Sequence, residues 1–455
     1  MVQIMRLFVR FTQQLQRLLF TLYRSKWTVH AVVVVLFILS VTAIPFLVTF
    51  DGHNYLAGSQ VLFTDRAADN FWWLREPGYS MFIKVIRGIF GPSEIFLTLI
   101  QTGMTVFGGI FAMKGIWLAH HSSTKIPPGL MAASLVLGVG NASVLYYSSS
   151  ALQQPFFVLT TGWVIYLSAQ IYVKPKTTWL LVTVISLIVV ALVQEEFARL
   201  MTIPVLLAFL TRRAQPETSS IRIKFWPSAK LLAKTATIFV ALNVIVTLAL
   251  IPWAQYRDTQ LARQTIAAEF KDNSFAPLST QIKGALNTKE PHPHSVLSHL
   301  GAFIGFSGSS QFLSKHYERK IYIQYRQNTV FRCGAIEGMP ESFSRVESIS
   351  NAVLQPACRS KRAIDLIKPY TRVSTLAYPF ILSAGLLLSL INIWRRKMLV
   401  PSLSLLALTG AYCLLGFGAD RYSVPLIPIC AVIIVITAHS LMKRFQTKVR
   451  MRPPH

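Results

Sequence analysis

Asp51 follows directly on the apolar run Val48-Thr49-Phe50, which sets a carboxylate at the mouth of a hydrophobic segment. An acid at the edge of hydrocarbon is costly to keep, and is for that reason a candidate for function. His53, Asp65, Asp69 and Glu76 follow within 25 residues. Such groups could take a proton as general bases, or hold a hard divalent cation (Mg or Mn) through oxygen ligands. Their spacing fits no fixed metal-ligand pattern, so the metal stays unassigned. Arg75-Glu76-Pro77-Gly78-Tyr79 encloses a Pro-Gly turn between charged and aromatic flanks. Asp420-Arg421-Tyr422-Ser423-Val424-Pro425 opens the last apolar segment, and a planar guanidinium there can grip a phosphate with two hydrogen bonds. Each candidate also has a plain structural role: Asp51 can cap the helix that follows, and Arg421 can snorkel at a helix end.

The elements that must position these groups are set by hydropathy. The chain has 455 residues, 53% of them hydrophobic and 14% charged, with mean hydropathy +0.47, so lipid is its natural solvent. Apolar stretches near 29–50, 95–118, 129–147, 155–173, 178–194, 199–211, 235–254, 374–393, 398–416 and 423–442 predict an all-α polytopic membrane protein of about ten transmembrane helices. The stretch 178–211 would measure about 51 Å as one helix, and Gln194, Glu195, Glu196 and Arg199 interrupt it. A break there, with the charges at an outer tip, is expected.

The net charge of +27 is distributed by side. Both chain ends and the connectors after the second, fourth, sixth and eighth segments hold 22 Lys and Arg with one acid, Glu217, while the other 17 acids fall in the alternate connectors. Ten spans with both ends cytoplasmic satisfy the positive-inside rule throughout. The cationic excess then marks topology and contact with anionic membrane lipid, and nucleic acid is excluded as a partner.

This reading divides the chain into an interfacial amphipathic helix (1–28), a transmembrane region (29–254) with a first outer loop (51–94), a large outer loop domain (255–373), C-terminal transmembrane helices (374–442) and a basic cytoplasmic tail (443–455). Residues 1–27 lack a small-residue cleavage site and are expected to be retained. Within the first loop, residues 53–63 predict a short helix and 79–90 a helix at the membrane surface, with Lys84 and Arg87 on it. In the second, helical stretches are expected near 255–272 and 341–354, then a basic run from Arg359 to Arg372. Cys333 and Cys358 share that loop and could pair in an oxidising compartment. Cys413 and Cys430 sit in apolar spans as packing residues.

An acid ending the first span within D-x-x-x-Y (Asp51 to Tyr55), an R-x-P-G-Y turn (Arg75 to Tyr79) and R-Y-x-x-P-x-x-P opening the last span (Arg421 to Pro428) resemble the membrane-embedded GT-C class of glycosyltransferases, nearest to aminoarabinose transferases and protein O-mannosyltransferases. The resemblance implies inverting transfer of a sugar from a polyprenyl-phosphate donor to a glycan, lipid or protein acceptor at the outer face of the plasma (inner) membrane. It implies Asp51 as catalytic carboxylate, with His53 and Glu76 beside it, and Arg421, with Arg75 and Tyr422, at the donor phosphate. Two departures stand out. Gly52 follows Asp51 where the class commonly has a second acid, and Ser148 to Ser150 with Gln153 and Gln154 occupy a loop that commonly carries another. Asp65, Asp69, Glu195 and Glu196 are the candidates to supply the missing carboxylate.

A lipid or saccharide flippase would have a similar span count, but would place its binding groups near the bilayer midplane. Here the ionisable residues crowd the expected outer rim. An envelope polysaccharide polymerase or ligase would share the architecture and differ in its acceptor.

Overall fold

The computed structural model of the protein describes residues 21, 23–44, 50–62, 77–121, 123–212, 229–262, 361–395, 398–414 and 423–450. Among them the fold is helical, with no β-strand. Five helical segments are long and apolar enough to cross a membrane: Glu94–His121, Gln154–Val173, Ala233–Tyr256, Asp365–Trp394 and Val424–Arg444. Each coincides with an expected span.

The other apolar stretches take different forms. Helix α1 (Lys26–Thr42) is 17 residues long and ends at Ala43. Helix α2 (Phe50–Val61) covers most of the expected short helix and includes Asp51 within it. Helix α3 (Gly78–Phe90) matches the helix expected over 79–90, with Pro77 at its N-cap. Helix α4 (Glu94–His121) is the first long span.

The expected span 129–147 is instead a pair, α5 (Pro128–Gly138) and α6 (Ala142–Ser148), bent by 77° and counting at most as a sixth crossing. Asn141 makes the corner. Its side-chain oxygen accepts from Ser143 N at 3.0 Å, its Nδ2 donates to Ser374 O at 3.0 Å, and Ala142 N donates to Ser374 Oγ at 2.7 Å. A capping side chain plus a distant serine thus satisfies backbone groups that a straight helix would have paired internally.

Helix α7 (Gln154–Val173) follows, then α8 (Thr177–Val193), α9 (Glu195–Leu200) and α10 (Thr202–Arg212). The expected break in 178–211 falls at Gln194, which is extended (φ −161°, ψ 118°). Helix α11 (Ala229–Ala262) carries straight on past residue 254 with Pro252 inside it. Helix α12 (Lys361–Trp394) includes Lys361, Arg362, Lys368 and Arg372 of the basic run ahead of the expected span 374–393. Helix α13 (Leu399–Leu414) and, after a 3-10 turn at Val424–Leu426, α14 (Ile427–Arg450) complete the order.

The α4–α7 seam is the tightest in the bundle. A Cβ on Gly108 would lie 2.4 Å from Val158 O, and one on Gly162 would lie 2.0 Å from Gly108 O. Only hydrogen fits at either place, and close backbone approach through small residues is how helices pack where both solvent and side chains are apolar. Around this seam α10, α14 and α1 add further layers. Outward faces are greasy: Leu181, Ile185 and Val189 on α8, and Val240, Val244 and Leu248 on α11, are exposed on successive turns. Stripes of that kind need hydrocarbon to cover them, which makes this a membrane protein.

Tyr23, just before α1, stacks on His439 midway along α14, with ring centroids 6.4 Å apart. Trp117, near the end of α4, lies 6.4 Å from the same imidazole. Tyr23, the last turns of α4 and the His439 turn of α14 therefore share one end of the bundle.

Candidate functional site

At the opposite end α1 finishes, α4 and α7 begin, and α8 finishes. Helices α2 and α3 pack on each other there, and α3 packs on α8 and α4. Gly78 fixes the entry of α3: a Cβ on it would lie 2.5 Å from Leu192 O and 3.0 Å from Val193 N, so the Pro-Gly turn is pressed against the last turn of α8. Tyr79, next in line, is fully buried. Its ring meets Tyr55 of α2 edge to face, at 4.9 Å and 85°, and lies 6.1 Å from Phe156 at 88°. Gln101 Nε2 donates to Tyr79 Oη at 2.6 Å and to Leu152 O at 3.0 Å. Burial first, and then the neighbouring Tyr55, hold the Tyr79 phenol well above its ordinary range, while the Gln101 bond pulls the other way. The phenol is neutral at physiological pH.

Under this layer lies a buried polar cluster. Thr105 Oγ1 and Ser148 Oγ are 2.8 Å apart. Ser149 Oγ donates to Ser40 O at 3.2 Å, and Ser150 Oγ to Tyr146 O at 2.9 Å. Gln153 Nε2 donates to Gln194 Oε1 at 2.8 Å, joining the turn before α7 to the break after α8. Non-helical backbone at this depth is tolerable because protein surrounds it. Among the described residues, Gln101 Oε1, Gln153 Oε1 and Gln154 Oε1 are buried acceptors with no hydrogen-bond partner. They can receive hydrogen bonds from water or from a hydroxyl-bearing ligand. Glu94, wholly buried in the first turn of α4, accepts from Thr98 Oγ1 at 2.9 Å.

The sequence candidates divide as follows. Asp51 and His53 lie on α2, Asp51 one turn before Tyr55. Glu195 is ion-paired with Arg199 one turn on, and Arg199 Nη2 also reaches Thr247 Oγ1 at 3.2 Å, so this acid has a structural partner on its own helix. Glu196 is partly exposed beside it. Asp65, Asp69, Arg75, Glu76, Arg421, Tyr422, Cys333 and Cys358 lie outside the described residues. Of the third motif, Ser423 is buried and bonded to Tyr378 Oη, and the 3-10 turn that follows packs against α7. Among the described residues no group of three His, Cys, Asp or Glu could hold a metal ion. Sequence reasoning missed Gln101 and Glu94 as organising residues. The available signal was an amide or acid inside or at the lip of an apolar segment, which hydropathy averaging hides.

Neither a known protein family, nor a curated protein, nor a solved structure matches this chain.

Proposed function

We propose that this chain is a GT-C-like glycosyltransferase with ten spans and both ends cytoplasmic, which moves a sugar from a polyprenyl-phosphate donor to a glycan, lipid or protein acceptor at the external face of the plasma membrane. The observation that carries this reading is the contact between Tyr55 and Tyr79. It ties the helix bearing Asp51 to the helix entered from Arg75-Glu76, so that two motif segments distant in sequence belong to one layer. The deep polar cluster beneath that layer, with its unmet amide oxygens, suits a hydroxyl-rich substrate.

In this reading the acceptor oxygen attacks the anomeric carbon from the side opposite the lipid phosphate. The new C–O bond forms as the anomeric bond to the phosphate oxygen breaks, its electron pair leaves with the polyprenyl phosphate, and configuration inverts. Asp51 takes the acceptor proton, supported by His53 and Glu76. Arg421, with Arg75 and Tyr422, neutralises the departing phosphate, where a fixed positive charge lowers the barrier without reorganisation.

The test is transfer of labelled sugar from a polyprenyl-phosphate donor by the full chain in reconstituted membranes. A well-placed general base is worth 10²–10⁴-fold, so Asp51→Asn is expected to lose about that factor at unchanged expression and melting temperature. Arg421→Lys is expected to fall as well, because an ammonium does not reproduce the planar fork. Wild-type transfer by stable Asp51→Asn protein would overturn the reading.

One observation favours a second reading. The 77° break between α5 and α6 and the extended Gln194 resemble the discontinuous helices on which transporters hold substrate. A flippase would move labelled lipid-linked sugar across sealed vesicles with no product formed.

A further inference from the structure

Helix α8 has 17 residues, about 26 Å at 1.5 Å per residue, and so falls short of the roughly 30 Å of hydrocarbon that a span must cross. The tip that follows it carries Gln194, Glu195, Glu196 and Arg199. Its depth can be read from two neighbouring spans. Arg199 Nη2 donates to Thr247 Oγ1 at 3.2 Å, and Thr247 stands inside the crossing segment Ala233–Tyr256, about 14 Å along the axis from its nearer end and about 21 Å from the other. The Gln153–Gln194 amide bond sets the tip level with the turn before α7, and Gln101 of α4 donates to Leu152 O in that same turn. Gln101 lies about 11 Å past the Glu94 end of its own span. Both measures sink the tip roughly 10–14 Å below the end of the bundle.

Depth does not bring burial here. The paired Arg199 and Glu195 side chains are 43% and 34% exposed, and Glu196 is partly exposed beside them. Ions at that level are strongly disfavoured against hydrocarbon, and are found facing the bundle interior or a water-filled cavity. An arginine escapes to the headgroups only from the last turns of a span, not from more than two turns inside one. The irregular backbone at Gln194, extended at φ −161° and ψ 118°, carries the same requirement, since backbone outside a helix is tolerated at membrane depth only inside protein or beside water. A polar medium therefore reaches the tip. Helix α11 runs on past Thr247 to Ala262, so it rises beside the tip toward the end of the bundle from which water enters.

We propose that the end of the bundle bearing Gln101, Gln153 and Gln194 holds a water-filled vestibule, floored by the Glu195–Arg199 tip and walled by α11 from Thr247 onward, which takes small hydrophilic solutes into the depth of the membrane. Val240 marks its lower limit. It lies two turns from Thr247 on the same line of α11, is 58% exposed and belongs to the stripe that hydrocarbon covers. The vestibule is independent of the transfer reaction: a sugar headgroup and a transported solute would both need it to approach the buried amides without entering lipid.

The test is the rate at which single cysteines react with a small, permanently charged methanethiosulfonate. The full chain, with its four native cysteines replaced by alanine, is kept in its membranes, which are opened by freezing and thawing so that reagent reaches both faces and the result does not depend on orientation. Only a thiolate in water reacts, and burial in hydrocarbon raises a thiol by about two pKa units or more, which leaves roughly a hundredfold less thiolate. Thr247→Cys and Glu196→Cys are expected to react at least about a hundredfold faster than Val240→Cys, while all three take up label fully once denatured. Glu196→Cys, on the tip itself, decides the matter if Thr247→Cys protein does not accumulate. Reaction at Thr247→Cys and Glu196→Cys no faster than at Val240→Cys would overturn the proposal, because the tip would then be covered by lipid or by protein. Fast reaction at all three would overturn it as well, by placing the whole α11 face in water.

Discussion

The rings of Tyr55 and Tyr79 meet edge to face at 4.9 Å and 85°, and Gln101 Nε2 donates to the second of them from the first long span. Through these three side chains α2, the Pro-Gly turn that opens α3 and the bundle become one unit. Edge-to-face pairs contribute about 0.5–1.5 kcal/mol beyond the area they bury.

Tyr79→Phe keeps the ring contact and removes the oxygen that accepts from Gln101. The Gln101 amide is wholly buried, and stranding a buried donor costs about 1–3 kcal/mol. Thermal unfolding of detergent-solubilised protein should show that loss, whereas Gln101→Leu combined with Tyr79→Phe should recover part of it, since both polar partners then disappear together. A Tyr79→Phe protein as stable as wild type would mean that the bond contributes nothing.

The alkaline limb of stability should carry the same phenol. Its folded value is raised above the ordinary 10, chiefly by burial. Below pH 10 the group is protonated in both folded and unfolded chains and adds no pH dependence. Above pH 10 the unfolded phenol releases its proton while the folded one keeps it, so stability falls as pH rises. The readout is the difference in alkaline unfolding between wild type and Tyr79→Phe. The variant should have the shallower slope between pH 10 and 11, and parallel curves would count against it.

Gly162→Leu should be the most damaging apolar substitution on α7. Its Cβ would sit 2.0 Å from Gly108 O, a backbone atom that cannot rotate away, so the helices must separate and the seam is lost. Overpacking typically costs 1–3 kcal/mol, and forcing two backbones apart puts this case at the upper end or above. Gly410→Ala, where a Cβ meets nothing within 4 Å, is the control and should express and melt like wild type.

Labelling of single cysteines in sealed spheroplasts tests the topology. A cysteine at Thr447 and one at Gln3 should resist a membrane-impermeant thiol reagent until the cells are lysed, while one at Ser274 should react from outside. Labelling of the Thr447 site in intact spheroplasts would reverse the orientation.

Much of the helix layout was legible in the residue order. Spans at 95–118, 155–173, 235–254, 374–393 and 423–442 appear where hydropathy put them, because a lipid-facing helix must be apolar along its own length. The break at Gln194 and the two helices flanking the Pro77-Gly78 turn were legible for the same reason, being written in local charge and turn chemistry. The bend at Asn141 was not. It depends on Ser374, 233 residues away, which supplies partners to backbone groups freed by the break, and no local pattern announces a partner so distant. The α4–α7 seam likewise needs Gly108 opposite Gly162, a register that exists only once the helices are side by side. The sequence by itself determined the solvent, the long apolar helices and the alternation of charge between connectors, all local properties of the chain. Tertiary structure alone decided that Tyr55 meets Tyr79, that Gln101 joins them to the turn before α7, and that Arg199 meets Thr247 inside a span, because hydrogen-bond closure and close packing are satisfied between elements rather than within them.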